Sequence, residues 1–162
     1  MGREAADEIR AQCAAFLAAH TTLTLATVDP AGAPAAAAVF YAHDAALTIY
    51  FLSEEKTQHA QNILANGMVA ATIQADGQEW RAIRGLQLRG QAALVPAEQL
   101  PHAVAVYGRK FSFVAALLAG GKGPATLTGP LSRARFWQLK PAWLRLVDNT
   151  LHFGHKIEFP PE

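Results

Sequence analysis

The sequence predicts a mainly β fold, a small antiparallel barrel with helices covering its openings. Short apolar segments of alternating character recur from Thr21 to Val95, each bounded by turn-forming residues. Their connections are short, which joins neighbouring strands in antiparallel order. Helical spacing of apolar residues, by contrast, is confined to the N-terminus, to the stretch after Ser53 and to residues 97–119.

The elements follow in order. Ile9, Cys13, Phe16, Leu17 and His20 share one face of an N-terminal helix, and Thr21 to Val28 alternates as a strand. Asp29-Pro-Ala-Gly-Ala-Pro34 is a turn by composition. Ala35 to Tyr41 is a second strand of small side chains, and a connection at His43-Asp44 returns the chain as a third strand, Leu47 to Leu52. A helix then starts near Ser53, with Ala60, Ile63 and Leu64 on its apolar face, and Asn66-Gly67 closes it through a left-handed cap. Met68 to Gln74 and Arg81 to Val95 are the fourth and fifth strands, and Pro96 ends the latter. Residues 97–119 are a helical insertion, broken by Gly120-Gly-Lys-Gly-Pro124. Phe136 to Leu139, Trp143 to Asp148 and Leu151 to Phe159 complete the strands, with a turn around Asp148-Asn149. Residues 1–162 thus form a single domain with no internal repeat and no interdomain linker.

Composition narrows the function. Of the 162 residues, 51% are hydrophobic and 17% charged, the balance of a compact globule that needs no structural metal or disulfide. A net charge of +1 and scattered arginines argue against a nucleic-acid surface. The single cysteine, Cys13, permits no intrachain disulfide, which fits a cytoplasmic protein. The charged N-terminus is unlike a secretory signal, and no apolar run reaches membrane-spanning length.

The junction between the third strand and the second helix carries the main chemical signal. A helix beginning there presents unpaired backbone N–H groups and the positive end of its dipole, and Ser53, Lys56 and Thr57 surround them. One reading is a phosphate cradle. The other is a capped helix start, with Ser53 as cap, Glu54 and Glu55 answering the dipole, and Lys56 in solvent.

Three motifs in sequence order, Phe51-Leu-Ser-Glu-Glu-Lys-Thr-Gln-His-Ala-Gln61, Ile83-Arg-Gly-Leu-Gln-Leu-Arg-Gly90 and Leu146-Val-Asp-Asn-Thr-Leu-His-Phe-Gly-His-Lys156, resemble the pyridoxamine-5'-phosphate-oxidase-like FMN-binding split barrels, most nearly their bacterial YhbP-like branch. The resemblance spans roughly residues 8–159. It implies an antiparallel six-stranded split β-barrel, a homodimer with FMN in two clefts between the subunits, and a flavin-dependent oxidoreductase acting on a small molecule. Lys56 inherits the phosphate-binding role, with Ser53 and Thr57 beside it. Tyr50 and Phe51 border the phosphate or ribityl chain through side chain or backbone. Gln87 is a polar contact to the flavin, and Trp143 and Arg145 match the region through which the second subunit closes the pocket. Other implied readings are a non-enzymatic flavin or haem binder that stores or senses its ligand, and a reductase using a deazaflavin such as F420.

The sequence also departs from pyridoxamine phosphate oxidases proper. Glu55 stands where a basic residue commonly precedes the phosphate-binding lysine, and Ala35 to Tyr41 lacks that family's arginine and lysine. Each lost charge-assisted bond costs on the order of 1.5 to 3 kcal/mol, so modest FMN affinity is expected. Trp143-Leu-Arg-Leu-Val-Asp148 lacks the Arg-x-His arrangement that grips the vitamer, which argues against vitamin B6 synthesis.

Other candidates are weaker. The Gly120 to Pro124 stretch lacks P-loop spacing. His152 and His155 share a face only if helical, and a strand would separate them, so no metal site is expected. His59, one turn from Lys56, either faces solvent or approaches an anion. The aromatic pair Trp137 and Trp143 is open to two readings, an association surface or the core of one subunit.

Overall fold

The computed structural model describes residues 3–114 and 127–159. Helix α1 (Arg3–Ala19) precedes a meander of β1 (Thr22–Val28), β2 (Pro34–His43) and β3 (Ile49–Glu54). Helix α2 (Gln58–Ala65) leads to β4 (Met68–Gln74) and β5 (Arg84–Leu94), then α3 (Leu100–Lys110), β6 (Ala134–Asp148) and the short β7 (Lys156–Phe159). The sheet order is β3-β2-β1-β4-β5-β6-β7, and β3 also pairs with β6. That extra pairing closes six antiparallel strands into a barrel and leaves β7 outside on the far half of β6.

Period-two alternation explains the barrel core. Leu23 and Leu25, Ile49 and Phe51, Ile73, and Leu86 and Leu88 all point inward and are almost completely buried. Helix α1 adds Cys13, Phe16 and Leu17, and α2 adds Ala60 and Ile63. A buried polar pair locks α2 in place, because Asn62 donates to the Thr27 hydroxyl at 2.9 Å. A second core lies outside the barrel, where Ala103, Val106 and Tyr107 of α3 meet Tyr50 and Phe136. Lys110 ties the end of α3 to α1 by donating to the carbonyls of Leu17 and His20, with its ammonium 4.1 Å from the Tyr41 ring centroid.

Several element boundaries differ from the sequence expectation, each for a local reason. The third strand begins at Ile49, because Leu47 lies in the turn with φ 64° while Asp44 accepts the N–H groups of Ala46 and Thr48. The second helix starts at Gln58 instead of near Ser53, since Ser53 and Glu54 remain paired with Arg135 and Ala134 of β6. Its C-cap, Asn66, is extended at φ −149°, so no left-handed cap forms. Gly67 is needed for another reason: a Cβ there would lie 2.6 Å from the Ala92 carbonyl oxygen. The fifth strand begins at Arg84, after a single helical turn over Trp80–Ala82.

The two segments expected at 136–139 and 143–148 are one fifteen-residue strand. Its register against β5 shifts between Arg89 and Gly90, leaving Ala142 as the extra residue of a bulge beside Pro141. Gly90 makes this possible, for a Cβ would overlap the Lys140 carbonyl and lie 2.9 Å from the Pro141 Cα. The helical insertion is seen as α3 and a short helical continuation up to Val114; residues 115–119 and Gly120 to Pro124 fall outside the described residues.

Candidate functional site

The β3–α2 junction is built by competition between a ladder and a helix. Because β3 stays paired to β6 through Glu54, Thr57 becomes the helix cap, with its hydroxyl oxygen 3.4 Å from the Ala60 N–H. Thr57 also donates that hydroxyl to the Glu54 carbonyl at 2.9 Å. Ser53, the last inward position of β3, places Oγ 3.1 Å from Thr57 Oγ1 and 2.6 Å from His59 Nε2. The Trp137 indole holds this residue from behind by donating to the Ser53 carbonyl at 3.1 Å. Burial holds the His59 imidazole below the ordinary histidine value, so the ring is neutral at pH 7. With Thr57's proton given to Glu54, the Ser53 hydroxyl and the His59 ring share the remaining polar valences of the cluster.

Charge at the junction is balanced pairwise. Lys56 is exposed and its ammonium lies 3.0 Å from Glu54. Glu55 faces Arg135 across the β3–β6 pair at 3.4 Å, so its negative charge is offset locally. Sequence reasoning missed Arg135 because its approach depends on a pairing between strands 80 residues apart, Ser53 with Arg135 and Glu54 with Ala134.

A cavity of about 520 Å³ opens beside this cluster. Phe40, Leu52, Tyr107, Phe113 and Leu131 supply an apolar wall, and Ser53 and His59 supply its polar corner. Phe40 and Phe113 are themselves half exposed. A second cavity, about 490 Å³, lies on the outer face of β1, β4, β5 and β6. Its floor is small, with Thr24, Ala26, Ala70 and Thr72, and Gln87, Arg89, Trp143 and Arg145 form its charged side.

The eight residues expected at a cofactor site are therefore distributed. Ser53 lines the first cavity, Thr57 is bonded to it, and Lys56 stands nearby on the surface. Gln87, Trp143 and Arg145 line the second cavity together. Tyr50 and Phe51 line neither, because their side chains are taken into opposite cores: Phe51 stacks on Trp137 inside the barrel, and Tyr50 packs under α3 with its hydroxyl donated to Asp44 at 3.1 Å. Only their backbone is available to a ligand. Trp137 is fully buried, which assigns it to the core of one subunit. His59, left open between solvent and anion, is half-buried in the cavity; its spacing from Ser53 was the available signal.

The donor set suits a phosphorylated aromatic cofactor. Two hydroxyl oxygens and an imidazole gather at the polar corner beside the start of α2, with Lys56 available if it leaves Glu54, and the apolar wall suits a ring system. No group of three or more metal-ligating side chains occurs among the described residues. His152 and His155 do meet, Nε2 to Nδ1 at 2.9 Å, because residues 151–154 form a turn where a strand was expected.

No helix among the described residues is long and apolar enough to cross a membrane. Residues 9–148 match the family model described as pyridoxamine 5'-phosphate oxidase. The chain is 32% identical over 143 residues to the UPF0306 protein YhbP of Escherichia fergusonii, covering 88% of this chain and 86% of that protein. Among solved structures, a heme binding protein from Mycobacterium smegmatis superposes with a TM-score of 0.70 at 22% identity, covering 94% of this chain and 58% of that one. A putative pyridoxamine 5'-phosphate oxidase from Listeria innocua superposes with a TM-score of 0.65 at 19% identity, covering 85% of this chain and 97% of that one. The closed six-stranded barrel, the matched residues 9–148 and the YhbP similarity together place this chain in the pyridoxamine 5'-phosphate oxidase-like split-barrel family, within its YhbP-like branch.

Proposed function

We propose that the protein binds FMN as a homodimer and works as a flavin-dependent oxidoreductase on a small molecule. One observation carries this reading: among the described residues the aromatic-walled cavity has a polar corner at Ser53 and His59, and that corner lies at the start of α2. In this arrangement the α2 N–H groups, Ser53 and Thr57, its hydroxyl turned from the Glu54 carbonyl, take the phosphate, Lys56 exchanges Glu54 for it, and Phe40, Tyr107 and Phe113 exclude water from the ring. The bound flavin would supply redox chemistry, while the chain supplies position, polarity and dryness.

The homodimer rests on the separation of the expected residues into two cavities. Both open on the outer barrel surface, and Ala38 of the first is paired in register with Thr24 of the second. The ground between is a surface of small side chains: Ala36 and Ala38 on β2, Thr24 and Ala26 on β1, Ala70 and Thr72 on β4. Small side chains of this kind let a second copy approach closely, so that Gln87, Trp143 and Arg145 of one protomer cover the cavity at Ser53 of its partner.

Haem binding without turnover is the second reading, favoured by His59. A neutral imidazole in an apolar cavity is a competent iron ligand, and one structural relative is described as a heme binding protein. Titration of the purified protein with FMN and with hemin, followed by absorbance, separates the two. Saturable FMN binding at one per protomer supports the flavin reading. Tight hemin binding that is lost in His59→Ala, with no binding of FMN, would replace it.

A further inference from the structure

Arg89, Trp143, Arg145 and Glu158 form a charged cluster at the second cavity, apart from the Ser53–His59 corner of the same protomer. Arg89 stands opposite Trp143 on the neighbouring strand, and its guanidinium lies 4.3 Å from the indole ring centroid. Arg145, two residues along β6 and so on the same face, lies 4.7 Å from that ring. Glu158 is paired in register with Arg145 from β7. Its Oε1 accepts from Arg145 Nε at 2.8 Å and from Nη2 at 2.7 Å, and its Oε2 lies 3.3 Å from the Trp143 Nε1 donor. Among the described residues Arg89 has no hydrogen-bonded acceptor of its own.

We infer that Arg89, Arg145 and the Trp143 indole N–H form a subsite for the carboxylate or phosphate of a small organic anion, and that the Glu158 carboxylate occupies this subsite until the ligand displaces it. The donors suit an oxyanion. One guanidinium already grips a carboxylate, a second stands over the same indole with no acceptor, and the indole adds a donor that cannot accept. The internal occupant is easily released, because the Arg145 and Glu158 side chains are 32% and 49% exposed, and ion pairs this exposed are weak. Glu158 also comes from a four-residue strand that pairs only with β6, so moving it disturbs little of the barrel. Arg145 and Trp143 hold its carboxyl below the ordinary glutamate range, so it is ionised at neutral pH and competes as an anion.

That this anion is the flavin's reaction partner rests on the flavin reading; anion binding itself does not. The test is therefore made first on flavin-free protein, by calorimetric titration with benzoate and with phenyl phosphate, which differ only in their anionic group. Glu158→Gln removes the tethered competitor and is expected to tighten one or both probes by roughly tenfold or more. Adding Arg89→Gln to that variant is expected to abolish the gain. Both positions are exposed, and thermal melts check folding; Glu158→Ala provides a second competitor-free variant. Unchanged affinity for both probes in both Glu158 variants would overturn the inference, as would an Arg89→Gln double variant that binds as tightly as Glu158→Gln.

FMN and riboflavin titrations of the Glu158→Gln protein then separate the two readings. An equal affinity ratio in wild type and variant supports a subsite distinct from the flavin phosphate. A variant tightened for FMN alone would mean that the arginines hold the cofactor's own phosphate, and would overturn the subsite. Tightened benzoate or phenyl phosphate binding in a protein that takes no FMN would sink the flavin reading and leave the subsite standing.

Discussion

Ser53 Oγ and His59 Nε2 lie 2.6 Å apart at the polar corner of an otherwise apolar cavity, one on the end of β3 and the other in the first turn of α2. One proton lies between these two atoms, given by either the hydroxyl or the ring, and burial disfavours the imidazolium. The folded-state pKa is lowered, so below the ordinary value of about 6.5 the unfolded chain takes up a proton that the folded chain refuses. Stability from this group is thus present at neutral pH and declines as pH falls through that value. Urea unfolding at pH 7 and pH 5 is expected to show a smaller loss in His59→Gln than in wild type. An identical loss would remove His59 from the acid sensitivity.

The Trp137 indole and the Ser53 carbonyl make the buried bond behind that cluster. Trp137→Phe keeps the stacking on Phe51 but leaves the carbonyl without its donor and opens space, at an expected cost of about 1 to 3 kcal/mol. A fall in the urea midpoint with an unchanged m-value is the signature. No measurable change would show that Ser53 finds another donor or water.

Lys56 is exposed and paired with Glu54, so its contribution to a phosphate is conditional. On the flavin reading, Lys56→Ala weakens FMN more than riboflavin, because only FMN carries the dianion. Glu54→Gln frees the ammonium and tightens FMN alone. Calorimetric titration of both ligands against both variants checks this, and equal effects on the two flavins would move Lys56 away from the phosphate. Glu55→Arg is less informative than its sequence position suggested, since the new cation would face Arg135.

The proposed dimer face is tested at Ala70, a half-buried outward position of β4 between Ala26 and Arg89. Wild type is expected to sediment as a dimer that FMN stabilises against dissociation. Ala70→Arg adds length and charge to a surface of small residues, and is expected to yield a folded monomer with FMN affinity reduced at least about tenfold, a loss of about 1.4 kcal/mol. A wild-type monomer that binds FMN tightly would sink the interface.

Gly90 tests the bulge that turns β6. A Cβ at this position would overlap the Lys140 carbonyl, which is backbone and cannot rotate away. Gly90→Ala is expected to destabilise by on the order of 3 kcal/mol or more and to disturb the far half of β6, where Trp143 and Arg145 reside. Thermal melting and Trp fluorescence report the two effects. A variant with wild-type stability would show that the bulge relaxes.

Local pattern alone determined much of the barrel. The inward and outward sides of β1, β4 and β5 follow from alternation, because burying one face of a strand leaves no freedom in its period. The apolar face of α1 was legible from Ile9, Cys13, Phe16 and Leu17 for the same reason. The junction at Ser53 was legible as a place where polar groups gather, but not as geometry. Whether Ser53 caps a helix or ends a strand depends on Arg135, 82 residues later, and the sheet ladder prevails because it satisfies backbone groups that a helix start would leave open. Tertiary structure also decided that Tyr50 and Phe51, adjacent in sequence, enter different cores, that Glu55 meets Arg135, and that Glu158 answers Arg145. Each depends on how strands pair in space, across 80 residues for Glu55 and Arg135 and across 13 for Arg145 and Glu158. Period and composition record which face a residue prefers, whereas its partner is chosen only when the barrel closes and β7 folds back on β6.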